Sequence, residues 1–161
     1  MVGWRVGSEL QALTVYALRP DGPTELLRTD YVKYGIVDLD ENQMEDLVVL
    51  RSLPDGEGCA EYYVWQDGGL VSRSMARVSM TMAELCQQGR LTQGTLRGGE
   101  PALFVTGVVE SAQTVTDILA MRNGELTNIV LSAATGVSTE VAMFRSLYPM
   151  DINGDGLTEV P

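Results

Sequence analysis

The stretch Ile36-Val37-Asp38-Leu39-Asp40-Glu41-Asn42-Gln43-Met44-Glu45-Asp46-Leu47-Val48-Val49 joins an acidic loop to an apolar run, and it returns in shortened form as Met150-Asp151-Ile152-Asn153-Gly154-Asp155-Gly156-Leu157-Thr158-Glu159-Val160. The two loops start 113 residues apart, which is two units of 56 and 57. A second ruler agrees. Val2, Val48 and Phe104 each stand 19 residues before Asp21, Asp67 and Asn123, and each of these turn residues is followed at once by glycine. A period of this size built from short apolar runs and Gly turns is the mark of a repeat architecture.

Laid out on this period, each unit reads as short strands. The first supplies 2–6, 13–19 and 25–28, the middle one 31–37, 47–50, 61–66 and 69–73, and the last 103–109, 116–122 and 125–131. These runs are rich in branched and aromatic residues, as strands are. Asp21-Gly22, Asp67-Gly68 and Asn123-Gly124 are hairpin signals, because a type I′ turn needs positive φ at both central residues and Asx-Gly supplies it. Four short antiparallel strands per unit is the plan of a β-propeller blade. The expected fold is therefore all-β, with propeller-type blades of antiparallel strands forming a fragment of a larger propeller. Its span, 1–161, is one segment of about three repeats of 46 to 57 residues, at 1–46, 47–102 and 103–159. Blade breaks are expected near Val37, Leu96 and Met150. The chain opens and closes at the same phase of the repeat, which suggests a piece of a longer protein.

One helical turn or two is expected in the middle unit. There Thr81 and Glu84 have the spacing of a capping box and Gly89 is a stop signal. Met75, Met80 and Met82 nearby read as gap-filling core, since Met packs irregular junctions.

Composition removes several functions. The net charge is −11, with one lysine, Lys33, and ten scattered arginines. That argues against nucleic acid, whose phosphates need clustered Lys and Arg, and against anionic membrane surfaces. No apolar stretch is long enough to span a bilayer, so direct membrane insertion of this segment is not expected. There is no histidine, so Ser-His-Asp and Cys-His mechanisms are excluded within the chain. Cys59 and Cys86 cannot complete a structural zinc site, which needs four Cys or His ligands. They read as free thiols, with a disulfide as the alternative.

The acidic loops point to a hard cation, which takes several oxygen ligands on a tight backbone. Asp38, Asp40, Asn42 and Asp46 alternate into one concave loop, with Met44 giving a main-chain carbonyl. Asp151, Asn153, Asp155 and Glu159 take the matching places, with Leu157 giving the carbonyl. Gly156 follows the third ligand, where the backbone favours a left-handed conformation; Gln43 stands there in the first loop, so the Asp151 loop is expected to be the better calcium site. The unit between them places Gly94, Leu96, Gly98 and Ala102 at the four side-chain positions, which ligate nothing. An EF-hand does not fit, because its twelfth position is a bidentate Glu and here it is Val49. An Asx-rich turn without metal is the alternative reading of each loop.

These two loops, with their flanking apolar residues, resemble FG-GAP or VCBS-type propeller repeats, as in integrin α-chain head domains and many bacterial surface proteins. The running pattern is also similar to a group of propeller lipoproteins of gut clostridia. The resemblance implies structural calcium, an extracytoplasmic location, secreted or anchored at the cell surface, and the remaining blades of a parent protein as partners. It implies a non-enzymatic binding or scaffold segment that recognises protein or glycan. Trp4, Tyr31, Tyr34 and Trp65 are candidate contacts, although their alternating pattern also suits strand packing. Two other readings stay open: part of a carbohydrate-active enzyme, a polysaccharide lyase or hydrolase, and a purely architectural spacer.

Overall fold

A computed structural model describes residues 2–6, 10–108, 113–132, 141–142 and 148–160. The fold is all-β and antiparallel, in three sheets. Sheet A holds β1 (Val2–Val6), β2 (Leu10–Arg19) and β3 (Gly22–Asp30) in that order. Sheet B holds β4 (Lys33–Val37), β5 (Asp46–Ser52), β6 (Gly58–Gln66) and β7 (Gly69–Val78). Sheet C runs β8 (Arg90–Thr95), β9 (Pro101–Val108), β10 (Gln113–Arg122) and β11 (Glu125–Asn128), with β12 (Val141–Ala142) added on β10. Apart from β12, each sheet is a meander in which sequential strands pair. The sheets divide the chain near residue 31 and across residues 79–89, so the first acidic loop lies inside sheet B, between its first and second strands, instead of between sheets, while the second is closed by the isolated bridge Met150↔Glu159. The sequence period sets the length of a unit but leaves its phase open.

The strand order follows from turn chemistry. Asp67 and Gly68 take φ of 52° and 82°, and Asn123 and Gly124 take 55° and 80°, the paired positive values of a type I′ hairpin. The first hairpin differs. Its ladder closes at Arg19↔Gly22, so the turn is centred on Pro20-Asp21 and not on Asp21-Gly22. Proline holds φ near −65°, which opens an ordinary turn but cannot open a mirror-image one; Gly22 then takes the positive value, 124°.

Alternation makes the sheets two-sided, and the middle one is buried on both faces. Leu47, Val49 and Tyr63 pack with Leu13, Val15 and Leu27 of sheet A. Val48, Leu50, Ala60 and Tyr62 face the other way and meet Leu103, Val105, Leu119 and Leu126 of sheet C. Each fully buried Leu or Val of this kind contributes ~1.5–3 kcal/mol. The far face of sheet C carries Ala102, Phe104 and Ala120, covered in part by Ile129 and Val160.

Between sheets B and C runs the short helix α1 (Met82–Gln88), closed by the expected capping box. The Thr81 N–H donates to Glu84 Oε2 at 2.8 Å, and the Glu84 N–H to Thr81 Oγ1 at 3.4 Å. Met80, Met82 and Leu85 fill the junction. Met75 does not: it is 50% exposed on the outer strand β7. Asp117, fully buried on β10, accepts from the N–H and hydroxyl of Ser79 at 2.7 and 2.8 Å and ties the linker to sheet C. The last expected strand is shorter than its pattern suggests. It stops at Asn128, whose side-chain oxygen accepts from the N–H groups of Val130 and Leu131, and the chain turns into α2 (Ile129–Ser132). Cys59 is buried and Cys86 exposed, both as free thiols.

Candidate metal centre

The loop at residues 38–45 leaves β4 at Val37 and enters β5 at Asp46, which pair across the ladder. Its conformation is written by its own side chains. Asp38 accepts from the N–H groups of Asn42 (3.0 Å) and Gln43 (2.8 Å), Asp40 accepts from the Asn42 N–H (3.3 Å), and Asn42 Oδ1 accepts from the Met44 N–H (2.7 Å). Each is a short Asx-type bond that bends the backbone back on itself. Glu41 and Gln43 are left-handed, at φ 58° and 68°, a conformation that costs a non-glycine residue roughly 1–2 kcal/mol.

The second loop repeats this bond for bond, 113 residues on. Asp151 accepts from Asp155 (3.2 Å) and Gly156 (2.8 Å), Asn153 from Asp155 (2.8 Å), and Asp155 from Leu157 (2.8 Å). Gly154 and Gly156 hold the left-handed positions at 79° and 85°. Met150 and Glu159 form the bridge that corresponds to Val37↔Asp46. Even the cross-link between third and fifth positions recurs with its donor reversed: Asn42 Nδ2 to Asp40 in the first loop, Asn153 Nδ2 to Asp155 in the second.

The acids converge as expected. Carboxylate oxygens of Asp38, Asp40 and Asp46 lie within 4.8 Å of one another, and so do those of Asp151, Asp155 and Glu159. Among the described residues none of these six is in an ion pair with a basic side chain. Three carboxylates at this spacing, beside an amide oxygen and with no compensating cation among the described residues, are a donor set suited to a hard divalent ion. Asn42 and Asn153 belong to the ring of donors through their hydrogen bonds; Met44 and Leu157 sit at the base of each loop, where their N–H groups are taken up by the fifth position.

The two sites differ at their fourth side-chain position. Asp46 is 3% exposed, and the buried Tyr62 hydroxyl donates to its Oδ2. Burial pushes the Asp46 carboxyl up, the Tyr62 bond opposes this, and the like charges of Asp40 and Asp38 add to the rise. The Tyr62 phenol is itself pushed far up by burial and by Asp46, so it remains a donor. Glu159 is instead half-buried, and accepts from the Ile152 N–H at 2.8 Å. Asp151 is held below the usual carboxylate range, chiefly by the N–H of Gly156 and then, against a small effect of burial, by those of Gly154 and Asp155. Leu39, 2% exposed in the B–C core, anchors the first loop, while its counterpart Ile152 is 62% exposed.

Neither Leu39 nor Tyr62 is marked by the acidic motif. The available signal was phase: Tyr62 lies on the inward face of β6, where a phenol must find a partner. The unit without acids is also shorter than its sequence alignment implies. Gly94 and Ala102 face each other in the β8–β9 ladder, and only residues 96–100 form the turn, closed by Leu96 N–H to Glu100 at 2.8 Å. Gly94 is thus a strand residue and not the counterpart of Asp38.

Beside the first loop a cleft of about 250 Å³ opens between sheets B and C, with Asp40, Asn42, Tyr62, Arg73 and Met121 among its walls. Of the aromatic contact candidates, Tyr31 packs in the A–B core, and Tyr34 and Trp65 are 42% and 44% exposed. The Trp4 side chain lies outside the described residues. No helix among the described residues is long and apolar enough to cross a membrane. Compared with protein families, curated proteins and solved structures, the chain gives no match.

Proposed function

We propose that the chain is a non-enzymatic binding or scaffold segment of propeller-type repeats related to the FG-GAP and VCBS kind, with calcium as a structural ion in the loops at residues 38–46 and 151–159. The observation that carries this reading is the recurrence of one loop at two places: four matching side-chain-to-backbone bonds, two matching left-handed residues, and one matching ladder pair. Loops whose oxygens are already gathered need little reorganisation to take up an ion. An all-oxygen set on a flexible loop suits calcium better than magnesium, which demands near-ideal octahedral geometry and keeps its waters.

Affinities of about 10⁻⁴ to 10⁻³ M, those of extracellular modules, match an extracytoplasmic protein bathed in millimolar calcium. Bound calcium would stiffen the entry into the second strand, and the neighbouring rim would present the surface that meets a protein or glycan. The rest of a parent propeller fits as the structural partner. Calorimetric titration with calcium, and with magnesium as the comparison, tests the reading. Heat of binding that Asp40→Ala reduces and Asp40→Ala with Asp155→Ala abolishes is expected; absence of heat in the unaltered chain would refute it.

A further inference from the structure

The cleft of about 250 Å³ between sheets B and C shares a wall with the first acidic loop. Asp40 and Asn42 line it, and so does Tyr62, whose hydroxyl donates to Asp46. Val64 and Met121 give it an apolar surface, and Trp65 and Gln66 stand beside them. Pockets for drug-sized molecules run to ~300–1,000 Å³, so a space of this size admits one compact group.

Arg73 gives the cleft its charge, and a defect in the ladder puts it there. Tyr62 pairs with Ser74 but Tyr63 pairs with Ser72, which leaves Arg73 as an extra residue on β7 without a ladder partner. The side chains record the same slip. Residues two apart on a regular strand share a face, yet Ser72 donates to Glu61 Oε1 at 2.6 Å, on the face of Tyr63 and sheet A, while Ser74 Oγ accepts from the Leu126 N–H of sheet C at 2.8 Å. A bulge of this kind re-aims a side chain, and here it brings Arg73 to the wall of the cleft. Arg51, Arg77 and Arg122 are each in ion pairs with carboxylates; Arg73, which is exposed, is in none among the described residues.

We propose that this cleft is a binding site for a small organic acid, one carboxylate on a compact carbon skeleton, with the carboxylate on the Arg73 guanidinium and the carbon face on Val64 and Met121. The planar fork of a guanidinium matches a carboxylate with two parallel hydrogen bonds. The surroundings limit the ligand to a single anionic group. Glu41, Asp67 and Glu125, all exposed, adjoin the lining residues Asp40, Gln66 and Gly124 in the chain, and the net charge is −11, so a polyanion is repelled. Asp40 couples the cleft to the loop. The empty loop sets the carboxylates of Asp38, Asp40 and Asp46 against an incoming anion, and a divalent cation cancels two of those three charges. The acid therefore binds more tightly with calcium, and by linkage calcium binds more tightly with the acid by the same factor. This coupling rests on the calcium reading; the cleft and Arg73 do not.

The probes are sodium glucuronate, a hydroxylated ring acid, and sodium isovalerate, an apolar branched acid, with glucose and isovaleramide as their uncharged counterparts. Each is titrated into the whole chain at matched ionic strength, in chelator and in calcium, and followed by amide and indole NMR shifts. Saturable shifts at Trp65, Gln66, Arg73 and Met121 are expected from at least one acid, with binding ~fivefold or more tighter in calcium. Tighter binding of glucuronate assigns the ligand to the sugar acids and tighter binding of isovalerate to the aliphatic acids; either supports the site. Arg73→Gln should weaken the acid by at least ~tenfold and leave calorimetric calcium binding in the absence of acid unchanged. If circular dichroism shows that variant unfolded, Trp65→Glu, which sets a like charge beside the cleft, takes its place. No saturable shift from either acid, equal binding of the uncharged counterparts, or acid binding that the substitution leaves unchanged would overturn the proposal. Acid binding equal in chelator and in calcium, in a chain that calorimetry shows to bind calcium, would overturn the coupling. Acid binding in a chain that gives no heat with calcium would refute the structural ion and support the carboxylate site.

Discussion

Replacing Asp46 by asparagine should change the sign of its effect with calcium. In the calcium-free protein Asp46 is a buried carboxylate, 3% exposed, beside Asp38 and Asp40, with a carboxyl pushed up by burial and then by those two charges, against the bond from Tyr62. Asparagine keeps an oxygen for the Tyr62 hydroxyl and removes the buried charge, so Asp46→Asn should melt at the same temperature as the unaltered protein or higher in chelator. Calcium reverses the order. For a site of about 10⁻⁴ to 10⁻³ M affinity, ~10 mM calcium stabilises the folded state by about 1.4 to 2.7 kcal/mol. In a chain of this length that raises the melting temperature by roughly 3–11 °C. The shift should be fully coupled to unfolding, because the loop exists only while β4 is paired with β5, and β5 lies in both of the main cores. Asp46→Asn should lose that share of the shift and melt below the unaltered protein in calcium. Melting followed by circular dichroism in chelator, in calcium and in magnesium measures all of this. A rise below ~1 °C in the unaltered protein, or an equal rise in the variant, would refute the reasoning.

Three further outcomes are expected. Burial pushes the Glu61 carboxyl up, but bonds from Ser72 and Arg51 outweigh it and leave the group below its ordinary 4.5; a depressed carboxyl gives stability that is present above the unfolded value and lost as pH falls through the folded one, so Glu61→Gln should flatten the decline in urea midpoint between ~pH 5 and ~pH 3. Gly94→Val should release residues 148–160, because a Cβ there would run into Thr158 and stand 2.8 Å from Phe104 Cε2; a cost of about 1–3 kcal/mol and faster amide exchange at Thr158 and Glu159 are the readouts. Asp46→Ala alone leaves the buried Tyr62 hydroxyl without an acceptor and should cost ~1–3 kcal/mol in chelator, whereas Asp46→Ala with Tyr62→Ile should recover part of that loss; additive effects in the double-mutant cycle would remove Tyr62 from the site.

How far the fold could be read from the residues depended on whether the deciding contact was local. Asp67-Gly68 and Asn123-Gly124 carry their own backbone preference and place their hairpins correctly, and the Thr81–Glu84 spacing places α1 for the same reason. Pro20 is equally local but was outweighed in reading by the Asp-Gly pair after it. β8 was missed because Arg90-Leu91-Thr92-Gln93-Gly94-Thr95 has one large apolar residue; it is a strand because β9 pairs with it and β4 packs against it. The strand expected to reach residue 131 ends at Asn128 because that side chain caps the turn beyond it. In the candidate metal centre the alternating acids were visible, since side chains on one loop are spaced by its backbone. Leu39 and Tyr62 were not, because their role depends on which sheet face the loop lies over.

The chain also contains its own control for the acidic loop. Sheets B and C close the same antiparallel ladder, yet in C the connection from first strand to second needs only residues 96–100 and contains no aspartate. The ladder position of Asp46 is there Ala102, and that of Tyr62 is Ile118, both packed in the apolar cluster around Phe104. The longer loop, the buried carboxylate and the phenol that holds it are therefore present together in sheet B and absent together in sheet C. Closing the hairpin does not explain this, since five residues suffice. Nor does stability of the bare fold, because a buried carboxylate among like charges with one donor is worse than an alanine beside an isoleucine. An ion that takes the remaining lone pairs of Asp46, Asp38 and Asp40 removes that disadvantage and gives the three features one physical reason to occur as a set.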